Sequence, residues 1–162
     1  MQIVVLGVGN ILLTDEGIGV RAAEYLMKNY DYPDNVTILD GGTMGMELLG
    51  HIIDIDVLIV LDAVASNKPV GTVIMMEDDE IPKFFASKLS PHQVGIADVL
   101  AAADLIAKSP EKVLLFGVVP ENLELSTELT PVVAEKLPTL VEHVIKALQQ
   151  YDVELKQIES VV

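Results

Sequence analysis

MQIVVLGVGNILLTDEGIGVR, residues Met1 to Arg21, decides the fold. Ile3-Val4-Val5-Leu6 is continuously apolar and partly β-branched, the composition of a strand covered on both faces of a parallel sheet. Gly7, Gly9 and Asn10 make a tight turn, and a helix follows from about Asp15 to Asn29. Thr14-Asp15-Glu16 sets a side-chain cap and two carboxylates where the positive end of the helix dipole favours them. Glu16 then falls just beyond the carboxyl end of the first strand. In an open α/β sheet that edge is where ligands bind.

Working outward, the chain alternates strands and helices. Asp31 to Asn35 reads as a turn, and Val36 to Leu39 as a short strand running into Asp40-Gly41-Gly42-Thr43. A short amphipathic helix follows, with Met44, Leu48, Leu49, Ile52 and Ile53 on one side. Asp56 to Asp62 is the strongest strand pattern, uniformly apolar within and therefore central. Gly71 to Met76 predicts another strand, antiparallel at an edge. A short helix is expected near Pro82 to Ser87, a loop at Ser90 to Gly95, a helix over Ile96 to Lys108 and a buried strand over Lys112 to Val119. The last helix has Thr130 as N-cap and Pro131 at its first position, and Pro138 inside its apolar stripe should kink or split it. The reading is one three-layer α/β/α domain over residues 1–150, with a twisted, mostly parallel (mixed) sheet between helix layers and a peripheral tail over 151–162.

Composition narrows the function. The 162 residues carry 25 acidic against 10 basic side chains, a net charge of −15 that repels nucleic acid and anionic membranes. With no cysteine there is no thiolate metal site and no cysteine nucleophile. No apolar run approaches the roughly 20 residues that span a bilayer, and the amino terminus lacks the basic region of a signal peptide. A cytoplasmic protein with neither nucleic-acid nor membrane partners is expected.

Three strand ends bring Glu16, Asp40 and Asp62 to one sheet edge beside glycine- and threonine-rich loops. Clustered carboxylates repel one another, and a cation or a metal-bearing partner offsets that cost. His92, in its Ser/Pro/Gln/Gly loop, is the histidine best placed to join them. One imidazole with two carboxylates suits a borderline divalent ion such as zinc or nickel and leaves coordination positions open. Simpler roles exist for each residue: Glu16 on the helix dipole, Asp62 capping a loop, His92 on the surface. His51 and His143 fall on helical patterns and read as structural or solvated. Gly7-x-Gly9 with Asp40 imitates a dinucleotide fingerprint, but Leu12 occupies the third glycine position. No G-x-S-x-G elbow is present, and no organic cofactor is expected.

Gly9-Asn10-Ile11-Leu12-Leu13-Thr14-Asp15-Glu16-Gly17-Ile18-Gly19, with Asp40-Gly41-Gly42-Thr43, Leu61-Asp62-Ala63 and Ser90-Pro91-His92-Gln93-Val94-Gly95, resembles the nickel–iron hydrogenase maturation endopeptidases. The resemblance runs from Met1 to about Leu148. It implies an endopeptidase that removes the carboxyl-terminal extension of a hydrogenase large-subunit precursor after nickel insertion. It also implies that Glu16, Asp62 and His92 contact the metal and that Asp40, Gly41, Gly42 and Thr43 help shape the substrate cleft. The nickel is expected to come with the substrate, the precursor to be the partner, and the enzyme to be a monomer. The resemblance names no catalytic group, and Asp62 and Glu16 stand as candidates. A non-catalytic nickel-site checkpoint for the same precursor would use the same residues.

Overall fold

The computed structural model describes residues 1–86 and 95–159. Its centre is a five-stranded sheet built from β1 (Ile3–Val8), β3 (Val36–Gly42), β4 (Val57–Ala63), β5 (Val73–Glu77) and β6 (Lys112–Val118), in the order β3-β1-β4-β6-β5. β3, β1, β4 and β6 run parallel, and β5 is antiparallel to β6 at the edge. The sheet is therefore mixed and mostly parallel, as expected, with Val57 to Asp62 on its central strand.

Alternate residues of each buried strand feed two separate cores, because successive side chains point to opposite faces. On one face Val5, Ile38, Ile59 and Phe116 meet Ile18, Ala22 and Leu26 of α1 (Ile18–Asn29) and Leu140 and Val144 of α6 (Leu137–Gln149). On the other, Val4, Leu6, Leu58, Val60 and Leu115 pack with Ile52 of α2 (Leu49–Ile52), Ile81 of α3 (Glu80–Ala86) and Val99 and Ala103 of α4 (Ile96–Leu105). Hence β1 and β4 show no polar alternation: neither has a solvent face.

The local differences from the sequence reading have physical causes. Pro138 splits the last helix as expected, into α5 (Pro131–Ala134) and α6, where it lies in the first turn and removes no needed donor. α4 stops at Leu105 rather than Lys108, because Ala107 turns left-handed (φ 57°) and Lys108 N–H donates to the Ala103 carbonyl (2.9 Å). Met44 is 42% exposed instead of joining the buried stripe, since the chain turns through a 3-10 segment, Met46–Leu48, before α2. The expected turn at Asp31 begins as a strand pair, β2 (Tyr30–Asp31) with β7 (Lys156–Gln157), and buried Val153 lies in the α1/α6 core. Among the described residues no helix is long and apolar enough to cross a membrane.

Candidate active-site cleft

The strand order reverses between β1 and β4: the chain leaves β1 for β3 on one side and returns to β4 on the other. The crevice beyond the carboxyl ends of these two strands is where an open α/β sheet binds its ligand. A cleft of about 710 Å³ lies there, lined by Val8, Gly9, Glu16, Gly42, Asp62 and Ile96 among others.

Glycines bring Glu16 and Asp62 together. A Cβ on Gly19 would stand 2.0 Å from the Leu61 carbonyl oxygen, so helix α1 presses directly on the end of β4. A Cβ on Gly9, whose φ is +129°, would stand 2.0 Å from the Glu16 carbonyl oxygen. The segment after β1 thus folds back onto the strand end. The first glycines serve close backbone approach of the turn and helix to the strands. Glu16 is delivered beside Asp62.

Asp62, the next-to-last residue of β4, is the electrostatically costly member. Burial is the main cause that pushes its carboxyl up to about 8, an N–H bond from Ala63 opposes this, and the Glu16 charge raises it further. None of the ion pairs among the described residues involves Glu16 or Asp62. Among those residues, moreover, no three histidine, aspartate or glutamate side chains stand together as a metal-binding group. Glu47 also lines the cleft, but its carboxylate accepts the Gly45 N–H (2.9 Å), so Glu16 and Asp62 are the pair, and a metal there needs further ligands from elsewhere. His92 lies outside the described residues.

The Asp40–Thr43 segment divides. Gly42, at φ +47°, and Thr43 line the cleft; Asp40 is exposed and Gly41 buried, and neither lines it. A Cβ on Gly41 would meet Leu6 at 2.8 Å, which makes this glycine a packing residue under the cleft wall. Of the other histidines, His51 is exposed and His143 stacks on Phe116 with ring centroids 5.4 Å apart.

Thr14 and Asp15 do not cap a helix. The cap expected at Thr14 is absent: residues Thr14–Gly17 form a 3-10 turn, Thr14 is buried at φ 52°, and its hydroxyl donates to the Glu124 carbonyl. Asp15 is fully buried, and its carboxylate accepts N–H bonds from Glu121 (2.9 Å), Asn122 (3.0 Å) and Thr130 (2.8 Å). The Thr130 hydroxyl also donates to Asp15 (2.8 Å) rather than capping α5. One aspartate thereby satisfies backbone donors at both ends of the irregular segment from Glu121 to Thr130 and ties it to the turn that carries Glu16. The available signal was that aperiodic segment itself, whose backbone donors needed an acceptor.

A doubly covered, mostly parallel sheet with a desolvated carboxylate at its topological switch point defines an α/β domain with an acidic ligand cleft. The chain belongs to the hydrogenase maturation protease family, whose model matches residues 20–147. It is 49% identical to the Hydrogenase 2 maturation protease of Escherichia coli, covering 99% of both chains. It is 46% identical over 154 residues to the hydrogenase expression/formation protein HupD of Rhizobium leguminosarum, covering 94% of this chain and 76% of that one. Among solved structures, the Escherichia coli hydrogenase maturating endopeptidase HybD superposes with a TM-score of 0.92 at 49% identity, over 97% of this chain and 98% of that one. A hydrogenase 2 maturation peptidase from a Thaumarchaeota archaeon superposes with a TM-score of 0.71 at 29% identity, over 92% and 99% respectively. The protein is accordingly a peptide hydrolase.

Proposed function

We propose that the protein removes a carboxyl-terminal extension from a nickel–iron hydrogenase large-subunit precursor, and does so once nickel has been inserted. Glu16, Asp62 and His92 engage the nickel, which arrives in the substrate. The observation that carries this reading is the pairing of Glu16 with a desolvated Asp62 in a cleft whose described lining residues include no cation. A carboxylate kept at such a cost gains most from a dication, and metal binding replaces the proton that burial favours.

An incomplete ligand set also explains why the enzyme waits. Two carboxylates and an imidazole leave coordination positions open, and they can complete the coordination of an ion already held by a partner. The loaded precursor then binds more tightly than the empty one, and the metal itself is the specificity element. Gly42 and Thr43 form the wall along which the extension lies. Asp62 and Glu16 remain the candidates for moving a proton at the scissile bond, since both line the cleft.

The test is processing of nickel-loaded precursor by Asp62→Asn and Glu16→Gln, with folding followed by circular dichroism. Both variants should fold and leave the precursor uncut. Normal cleavage by both would remove the carboxylates from the mechanism. A wild-type protein that forms a stable complex with loaded precursor, yet never cuts it, would favour the checkpoint role instead.

A further inference from the structure

The loop that carries Glu16 into the cleft and the Glu121–Thr130 segment bonded to it present apolar side chains to water. Leu12 is 52% exposed, Leu123 48% and Leu125 84%. Scattered exposed leucines need no explanation, but these are not scattered. Ser126 N–H donates to the Leu12 carbonyl (2.9 Å), Thr14 N–H donates to the Ser126 carbonyl (2.9 Å), and Leu13 pairs with Ser126 in parallel. That bridge brings together the backbone at Leu12 and Leu125, each one residue before it, with Leu123 two residues further back.

The segment that carries Leu123 and Leu125 is tied down by hydrogen bonds. The buried Asp15 carboxylate and the Thr14 hydroxyl bind the Glu121–Thr130 segment from beneath, as described above. A loop with no partner has little use for so much internal bonding beneath outward leucines. A preorganised surface, by contrast, avoids the ordering cost of binding. Exposed Glu121, Glu124 and Glu128 border the leucines, giving an apolar centre with an acidic rim, the layout of a protein-docking surface.

We propose that Leu12, Leu123 and Leu125 form a docking platform for the folded body of the precursor, through an apolar patch ringed by basic side chains. This rests on the function proposed above and adds a second point of recognition to its metal site. Continuity selects the occupant: Leu12 is four residues from Glu16, and Gly9 of the same loop lines the cleft. A protein whose scissile bond lies in the cleft must therefore sit against this loop.

The test is steady-state processing of nickel-loaded precursor, read by intact mass, for wild type, Leu12→Ser/Leu125→Ser and Leu123→Ser. The double variant should raise KM by about tenfold or more, with kcat held within about twofold, because platform contacts are the same in ground and transition states. Its melting temperature should match wild type, since exposed side chains contribute little to stability. Should the double variant misfold, Leu125→Ser alone decides. An unchanged KM in a folded variant, with active wild type, overturns the platform and leaves the proposed function standing. A wild-type dimer that the substitutions dissociate assigns the patch to a second copy of the chain and likewise overturns it. Wild type that neither binds nor cuts the precursor overturns the function, and the platform with it.

Discussion

Asp62→Asn should stabilise the fold, and by an amount that grows with pH. In the folded chain the Asp62 carboxyl is raised from 3.8 to about 8, chiefly by burial. Between those values the folded protein holds a proton that the unfolded chain has released, so this group's contribution to stability is greatest below pH 3.8 and falls as pH rises toward 8. One proton of difference corresponds to about 1.4 kcal/mol per pH unit, or about 2.7 kcal/mol over two units. Asp62 keeps some solvent contact at the open cleft, which screens the charge and reduces the expected loss between pH 5.5 and 7.5 to about 1–2 kcal/mol. Asparagine retains an oxygen for the Ala63 N–H and carries no charge at any pH. The gap between variant and wild type should thus widen by about 1–2 kcal/mol across that range, a difference of several degrees in melting temperature. Parallel thermal or urea melts at pH 5.5, 6.5 and 7.5, with chelator present, measure it. A gap that stays constant with pH, or narrows, would refute the claim that the cleft holds a desolvated carboxyl. Stability lost at a site of this kind is a recurring cost of function.

Three further outcomes follow from the geometry. Asp15→Ala should cost about 2–4 kcal/mol in urea denaturation, because it orphans the N–H groups of Glu121, Asn122 and Thr130 at once. Gly19→Ala should destabilise by about 3 kcal/mol and abolish processing, since its Cβ would meet the Leu61 carbonyl oxygen at 2.0 Å and force α1 off β4; Gly50→Ala, with nothing within 4 Å, is the matched control and should be neutral or slightly stabilising. The kcat/KM for loaded precursor should fall as pH drops below about 8, as protonation of Asp62 competes with metal contact, and a profile flat from pH 6 to 8 would contradict that role.

Much of the architecture was legible because β1 and β4 are covered on both faces, so their residues had to be apolar without interruption. Pro138 announced the split between α5 and α6 for a covalent reason, its missing N–H. Glu16 and Asp62 were legible as a pair because Asp62 lies at the end of one such strand and Glu16 in the turn beyond the other, and a parallel sheet sends those ends to one edge. What stayed hidden depends on contacts distant in sequence. Thr14-Asp15-Glu16 looks like a helix start, and nothing local reveals that Asp15 bonds to Glu121, Asn122 and Thr130 across the molecule. Similarly, Gly7-x-Gly9 suggests a phosphate loop until Gly9 and Gly19 prove to be points of close backbone approach. The pairing of β2 with β7 escaped notice because two-residue strands carry no periodicity. Asp40 and Gly41 were grouped with Gly42 and Thr43 by the continuity of their motif, whereas burial separates them.

The most direct test of the account is intact-mass spectrometry of a matched large-subunit precursor incubated with the wild-type protein, with and without bound nickel. Loss of a carboxyl-terminal peptide from the loaded precursor alone is the predicted result. Equal cleavage of loaded and empty precursor would contradict the claim that the carboxylates of the cleft engage the substrate's nickel.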